Sequence, residues 1–263
     1  TGLRGLVTMD VTVKAARQDM HSGSFGGTVT NPGNALCQMI ASLHDENNRV
    51  TVPGFYDDVQ PLSDEERKAI GALPFTEKSY LKMVGSSELS GEAGYSTLER
   101  RWVRPTVDVN GLFGGFMGDG SATIIPHRMG AKISMRIVPN QDPKKISAAF
   151  DEALMASAPK GVSVGVETYG SCAPYVCPLD LPALQSAAAA IETAFGKKPV
   201  MIREGGSLPI LPMFKQVLGA ESIMMGFCRP DCNAHGPNEF FHLSDLWGGI
   251  RASACFANNL ARG

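Results

Sequence analysis

The sequence contains no apolar run approaching the ~20 residues that a membrane-spanning helix requires, so these residues hold no such helix. It has no excess of charge of one sign. The formal net charge is -2, which gives no electrostatic basis for capturing nucleic acid or an anionic membrane. A signal-peptide pattern is missing at the start. So is an initiator Met: the chain opens at Thr1 and runs through Leu3-Arg4-Gly5-Leu6-Val7 into a strand pattern, so the start reads as a cut. Cysteine is sparse. Cys37, Cys172, Cys177, Cys228, Cys232 and Cys255 are too few for a disulfide scaffold in a chain of 263 residues and point to a reducing, cytoplasmic setting. No His-Glu-x-x-His motif, no His-x-Asp and no carboxylate pair at the end of an apolar strand occurs. Glu65-Glu66 and Asp57-Asp58 fall in polar stretches and read as surface. A complete two-metal site is therefore not encoded.

What is present is an ordinary globular composition, 43% hydrophobic and 19% charged, patterned in two styles. Val7, Met9, Val11 and Val13 alternate with polar residues, which is the period of a half-buried strand. A Gly-rich loop, His21 to Gly27, follows. Asn31-Pro32 then opens a helix whose inner face carries Ala35, Leu36, Met39, Ile40 and Leu43. From about 50 to 105 the pattern loosens into an insertion with short helices at 63–72 and 76–84, the first marked by the capping box Ser63-Asp64-Glu65-Glu66. Regularity returns with a strand at 106–113. A second alternating strand runs from Met129 to Ile137, a helix opens at Asp142-Pro143, and a last strand carries Val162, Val164 and Val166. The order strand, helix, strand, strand, helix, strand is the ferredoxin-like βαββαβ arrangement. It places two helices on one sheet face and leaves the other for solvent or a partner.

After about residue 170 the style changes. Helices are expected at 182–195, 207–218 and 243–260. Short all-apolar strands at 200–202 and 222–226 lie between them. Such strands belong to a parallel sheet buried on both faces. Two are too few to stand alone, so the missing strands come from sequence before Thr1 or from another chain.

Several polar groups sit where such a fold presents chemistry. His235 follows the second apolar strand, where α/β sheets place functional groups; it is either a zinc ligand or a histidine in a surface turn. Cys228-x3-Cys232-x2-His235 reads as incidental thiols, as a structural zinc clip with Cys172 and Cys177, or as a cysteine nucleophile beside His235. Glu204-Gly205-Gly206-Ser207 is a tight turn, or a loop whose Gly206 and Ser207 amides hold a carboxylate. His21 is a solvated loop residue or a group carried outward to a distant site. Arg136 lies on the polar side of its strand, either exposed or forked onto a carboxylate. Thr123 carries no signal by itself.

Taken in order, Asp19-Met20-His21-Ser22-Gly23 with Phe25-Gly26-Gly27, then Thr123-Ile124-Ile125-Pro126, Ser134-Met135-Arg136-Ile137-Val138-Pro139-Asn140, Arg203-Glu204-Gly205-Gly206-Ser207-Leu208-Pro209 and Asn233-Ala234-His235-Gly236-Pro237-Asn238-Glu239 span essentially the whole chain. In this order they resemble the C-terminal portion of the two-zinc metallopeptidases that include carnosinase, cytosolic dipeptidase, aminoacylase and acetylornithine deacetylase, with the dipeptidase branch nearest. The resemblance implies a ferredoxin-like lid and dimerisation domain at 1–170 and, at 171–263, the end of an α/β zinc-peptidase catalytic domain left incomplete here. It implies a homodimer formed through the lid and hydrolysis of an amide bond in a small peptide or N-acyl amino acid. By position, His235 would ligate zinc, the one ligand here of two ions per intact site. His21 would stabilise the tetrahedral intermediate of the neighbouring subunit's site. Thr123 would contact substrate, and Arg136 with the Gly206–Ser207 backbone would hold its carboxylate. The remaining metal ligands have no counterpart, so this chain alone is expected to be inactive. The alternatives are a non-catalytic dimerisation module and an N-acyl amino acid deacylase of the same family.

Overall fold

A computed structural model describes residues 1–262. In chain order the elements are β1 (Gly2–Leu3), β2 (Gly5–Lys14), β3 (Met20–His21), α1 (Ser22–Phe25), α2 (Pro32–Ala41), α3 (Asp64–Gly71), α4 (Glu77–Val84), α5 (Thr97–Trp102) and β4 (Thr106–Gly114). They continue with β5 (Ile124–Ile125), β6 (Arg128–Ile137), α6 (Pro143–Ser157), β7 (Ser163–Cys172), β8 (Tyr175–Val176), α7 (Pro182–Phe195), β9 (Arg203–Glu204), α8 (Ile210–Leu218) and α9 (Leu243–Arg262).

Four of these strands form the main sheet, in the order β4-β6-β2-β7, with every neighbour antiparallel. With α2 and α6 as crossovers, this is the βαββαβ order read from the alternating strands. Register follows the hydrophobic face. Val7, Met9, Val11 and Val13 of β2 lie beside Met135, Ile133, Ala131 and Met129 of β6, and all but the half-buried Met129 are fully buried. A one-residue slip would turn this set to the wrong side. Ala35, Leu36 and Met39 of α2 and Ile146, Phe150 and Leu154 of α6 complete the same core. Each large side chain so buried stabilises the fold by roughly 1.5–3 kcal/mol. Both helices begin as the sequence dictates: the Asn31 and Asp142 side chains accept from the amides of Gly33 and Lys144, and a proline follows each cap.

The insertion folds into α3, α4 and α5 around Leu98, Trp102 and Val103. The two expected helices appear at 64–71 and 77–84. A third, α5, also stands on a capping box, Ser96 with Glu99. Gln141 ties the insertion to the main core, donating to the Phe55 carbonyl and accepting from the Val138 amide.

The expected strands at 200–202 and 222–226 do not form. Only Arg203–Glu204 enters a ladder, parallel to β1, which also pairs with β8. The reason is lateral: a buried parallel strand needs neighbours on both sides, and β1 offers two residues on one side only. Val200 stays 59% exposed. Beyond this small sheet, α7 packs along α9. Among the described residues no helix is long and apolar enough to cross a membrane.

Candidate functional site

The six residues singled out in the sequence fall into three places. Arg136 occupies the polar face of β6, between β2 and β4, opposite Leu6 and Thr106. Its Nη1 donates to Ser207 Oγ at 2.8 Å. That hydroxyl in turn donates to the Arg4 carbonyl at 2.6 Å. The Gly-Gly loop is thus carried to the four-stranded sheet across most of the chain's length. Gly205 is required there, because an added Cβ would stand 2.8 Å from the Arg101 carbonyl and 2.9 Å from Arg4 Nη2. The amides of Gly206 and Ser207 have no partner among the described residues. The helix expected from 207 begins only at Ile210, so these donors lie ahead of its first turn, on the loop itself.

Sequence reasoning missed Arg4, a single residue between β1 and β2. Its Nε donates to the Gly205 carbonyl at 3.1 Å and its Nη1 to the Arg104 carbonyl at 3.2 Å. Burial first, then the adjacent charge of Arg136, pushes its pKa down to about 10. It remains a cation at neutral pH. Among the described residues neither Arg4 nor Arg136 forms an ion pair. Guanidiniums and amide N–H groups are donors suited to anions; one carboxylate, Glu204, already accepts from the Gly205 amide at 2.7 Å, and with Asp108 it opposes the downward shift of Arg4.

His21 and Thr123 form the second place. The two-residue strands β3 and β5 pair with His21 opposite Ile124, and the Ser22 amide donates to the Thr123 carbonyl at 2.8 Å. His21 Nδ1 accepts from the Ser24 amide at 3.1 Å and so caps α1. In the neutral ring an accepting Nδ1 leaves the proton on Nε2, so the exposed imidazole presents an N–H donor outward. The base of this short ladder is pinned by Asp19, whose carboxylate accepts from the His127 amide at 2.8 Å and stands 2.7 Å from its Nδ1. The His127 contacts hold the Asp19 carboxyl below its ordinary range.

His235 stands alone in the third place, exposed on a loop bent by left-handed residues. Asn233 has φ 56, His235 φ 64 and Asn238 φ 58. Non-glycine residues hold such angles only where neighbours over-determine them. Here the Gly236 amide donates to the Asn233 carbonyl, Asn233 Nδ2 donates to the Pro237 carbonyl, and the His235 amide donates to Glu239 Oε2 at 3.3 Å. A Cβ at Gly236 would meet Asn233 Oδ1 at 2.5 Å and displace the Asn233 side chain from its bond to Pro237. Cys228 and Cys232 bring their sulfurs to 2.6 Å, and the neighbouring sulfur pushes the Cys228 thiol up to about 11. Among the described residues no group of three or more His, Cys, Asp and Glu is placed to hold a metal ion. The zinc clip of Cys228, Cys232 and His235 therefore does not assemble. His235 offers one donor where zinc takes three or four protein ligands. These residues do not complete a metal cage.

The chain thus joins a βαββαβ sheet, an Arg–Ser–Gly cluster and an exposed loop imidazole. A family profile described as the peptidase dimerisation domain matches residues 1–162. The chain belongs to the M20 metallopeptidase family. It is 29% identical over 263 residues to the Cys-Gly metallodipeptidase of Schizosaccharomyces pombe, covering 99% of this chain and 55% of that protein. It is 29% identical to the human Beta-Ala-His dipeptidase, over 99% of this chain and 52% of that protein. The solved structure of an M20 family metallo-carboxypeptidase from Sulfolobus solfataricus superposes with a TM-score of 0.85 at 30% identity, covering 97% of this chain and 58% of that one. The chain spans about half the length of the curated relatives it matches.

Proposed function

We propose that this chain is the C-terminal part of a zinc-dependent dipeptidase or carboxypeptidase-like hydrolase that cleaves an amide bond in a small peptide ending in a free carboxylate. Residues 1–170 form its lid and dimerisation domain, and 171–263 the end of its catalytic domain. The enzyme acts as a cytoplasmic homodimer.

The observation that carries this reading is the hydrogen bond from Arg136 to Ser207, made beside the Arg4 guanidinium, which among the described residues has no ion-pair partner, and two loop amides without a partner there. A planar guanidinium with backbone donors suits a carboxylate better than a point charge does. His21 serves as the outward N–H donor. From a lid facing another subunit it would meet the oxyanion that develops at the scissile carbonyl, where preorganised donors act most strongly. Thr123, bonded beside it, would contact the same substrate. His235 would give one imidazole to the metal site. Zinc, when bound in such enzymes, acidifies water and polarises the carbonyl; the other donors lie outside these residues.

The apolar surface of the second part supports the same reading. Val217 is 72% and Leu243 70% exposed. An open apolar trough of about 910 Å³ runs between Leu184, Ile191, Phe195, Met201, Ile223 and Phe227. Surfaces of this kind are normally covered, and relatives nearly twice as long have the chain to cover them.

The test is a pair of substrates on the enzyme that carries this chain, a dipeptide and its C-terminal amide. Arg136→Met should raise KM for the free acid by tenfold or more, a loss of about 1.5–3 kcal/mol, and change KM for the amide far less. Equal effects on both would remove the carboxylate role.

A further inference from the structure

The geometry points to Arg4 as the positioning residue of the carboxylate site: it clamps the Gly205–Ser207 loop against the main sheet and adds a second positive charge, so that selection of a free carboxylate depends on it. This deepens the peptidase reading and rests on it for the identity of the substrate.

Arg4 is the single residue joining β1, which pairs with the loop strand β9, to β2, at the centre of the four-stranded sheet. Its backbone carbonyl accepts from Ser207 Oγ, and its side-chain Nε donates to the Gly205 carbonyl. The loop is therefore held at both ends by one residue. Without the first contact the Ser207 hydroxyl is free to rotate away from Arg136 Nη1. Without the second, the intervening Gly206, whose Cβ position meets nothing within 4 Å, has no fixed frame. The other arm of the fork, Nη1, reaches the Arg104 carbonyl. Arg104 is itself fixed by two 2.7 Å bonds to Glu92. Three segments remote in sequence thus meet on one guanidinium.

Arginine is needed for this. Lysine carries the charge but not a planar fork able to reach two carbonyls in fixed directions. The charge also has a consequence of its own. Arg4 and Arg136 repel each other, and among the described residues neither has an ion-pair partner. The Asp108 and Glu204 carboxylates offset part of that repulsion, and an anion seated at the Gly206 and Ser207 amides would relieve the rest. A purely structural latch would also bond to carbonyls, but it would give no preference between a carboxylate and its neutral amide.

The experiment has two arms. In the first, the enzyme that carries this chain, labelled with 15N, is titrated with sodium acetate against sodium chloride at equal ionic strength. Acetate should shift the Gly206 and Ser207 amide signals saturably, and chloride should not. Arg4→Gln should weaken acetate about tenfold. Arg4→Lys, which keeps the charge and loses the fork, should weaken it by a smaller factor and decides the matter if Arg4→Gln fails to fold. Acetate affinity equal to the parent's in the folded variants would overturn the proposal, as would chloride shifting the same signals equally. The second arm measures KM for a dipeptide and its C-terminal amide in the enzyme that carries this chain. Arg4→Gln should raise the acid-to-amide KM ratio about tenfold. A parallel change on both substrates would reduce Arg4 to a latch. If the parent enzyme hydrolyses neither substrate, the peptidase reading fails while the acetate titration still decides the role of Arg4.

Discussion

Replacing Glu92 with alanine probes the support beneath this site. Its carboxylate is 8% exposed and accepts from Arg104 Nε and Nη2, each at 2.7 Å, and from Arg49 Nη1 at 3.0 Å. Arg104 is 6% exposed and lies 4.3 Å from the Tyr95 ring centroid and 5.0 Å from that of Tyr56. Burial works against its charge, and the Glu92 bonds more than offset that, holding its pKa above the ordinary value. Truncating Glu92 strands a guanidinium among aromatic rings with no counter-charge. Breaking a buried pair in this way is destabilising by ~3–5 kcal/mol. Arg49, 48% exposed, adds at most ~1 kcal/mol. Glu92→Gln keeps an acceptor and loses the charge, so about 2 kcal/mol is expected. Changing both partners, Glu92→Met with Arg104→Met, should be close to neutral. Urea unfolding of this polypeptide reads all three as shifts in midpoint at constant slope. A Glu92→Ala loss below about 1 kcal/mol would mean that the pair behaves like a surface contact and not a buried one.

Two further outcomes follow from the His21 loop. In the enzyme that carries this chain, His21→Ala should lower kcat by about 10²–10³ and move KM little, as removal of an oxyanion donor does; stopped-flow turnover equal to the parent's would remove the role. Asp19 should titrate below the ordinary carboxylate range, because His127 stabilises its charged form. Since the folded-state value is depressed, the stabilisation is present above the unfolded-state pKa and is lost as pH falls through the folded one. Carbon-detected NMR should show the Asp19 midpoint rising in His127→Ala; an unchanged midpoint would contradict the contact.

The sequence made legible what has a period. β2 and β6 were readable from alternation because one face of each is buried and the other is not. α2 and α6 were readable from Asn31-Pro32 and Asp142-Pro143, which act locally at their caps. α5 had a readable signal, Ser96-x-x-Glu99, that a six-residue element made easy to pass over. Strands β1, β3, β5, β8 and β9 have two residues each, too few for any period, and exist only through their partners. The apolar runs at 200–202 and 222–226 misled for the converse reason: composition specifies a buried strand, but a ladder needs neighbours. Arg136 could be placed on a polar face from alternation alone. That it meets Ser207 depends on a contact across 71 residues, and Arg4 on contacts across 100 and 201, which no local pattern reports.

The most direct measurement is the metal content of the enzyme that carries this chain, determined by mass spectrometry on parent and His235→Ala protein under identical purification. If these residues lend one imidazole to a shared zinc site, the variant should retain less zinc per subunit and lose dipeptide hydrolysis with it. A variant that keeps the parent's zinc and turnover would contradict the account.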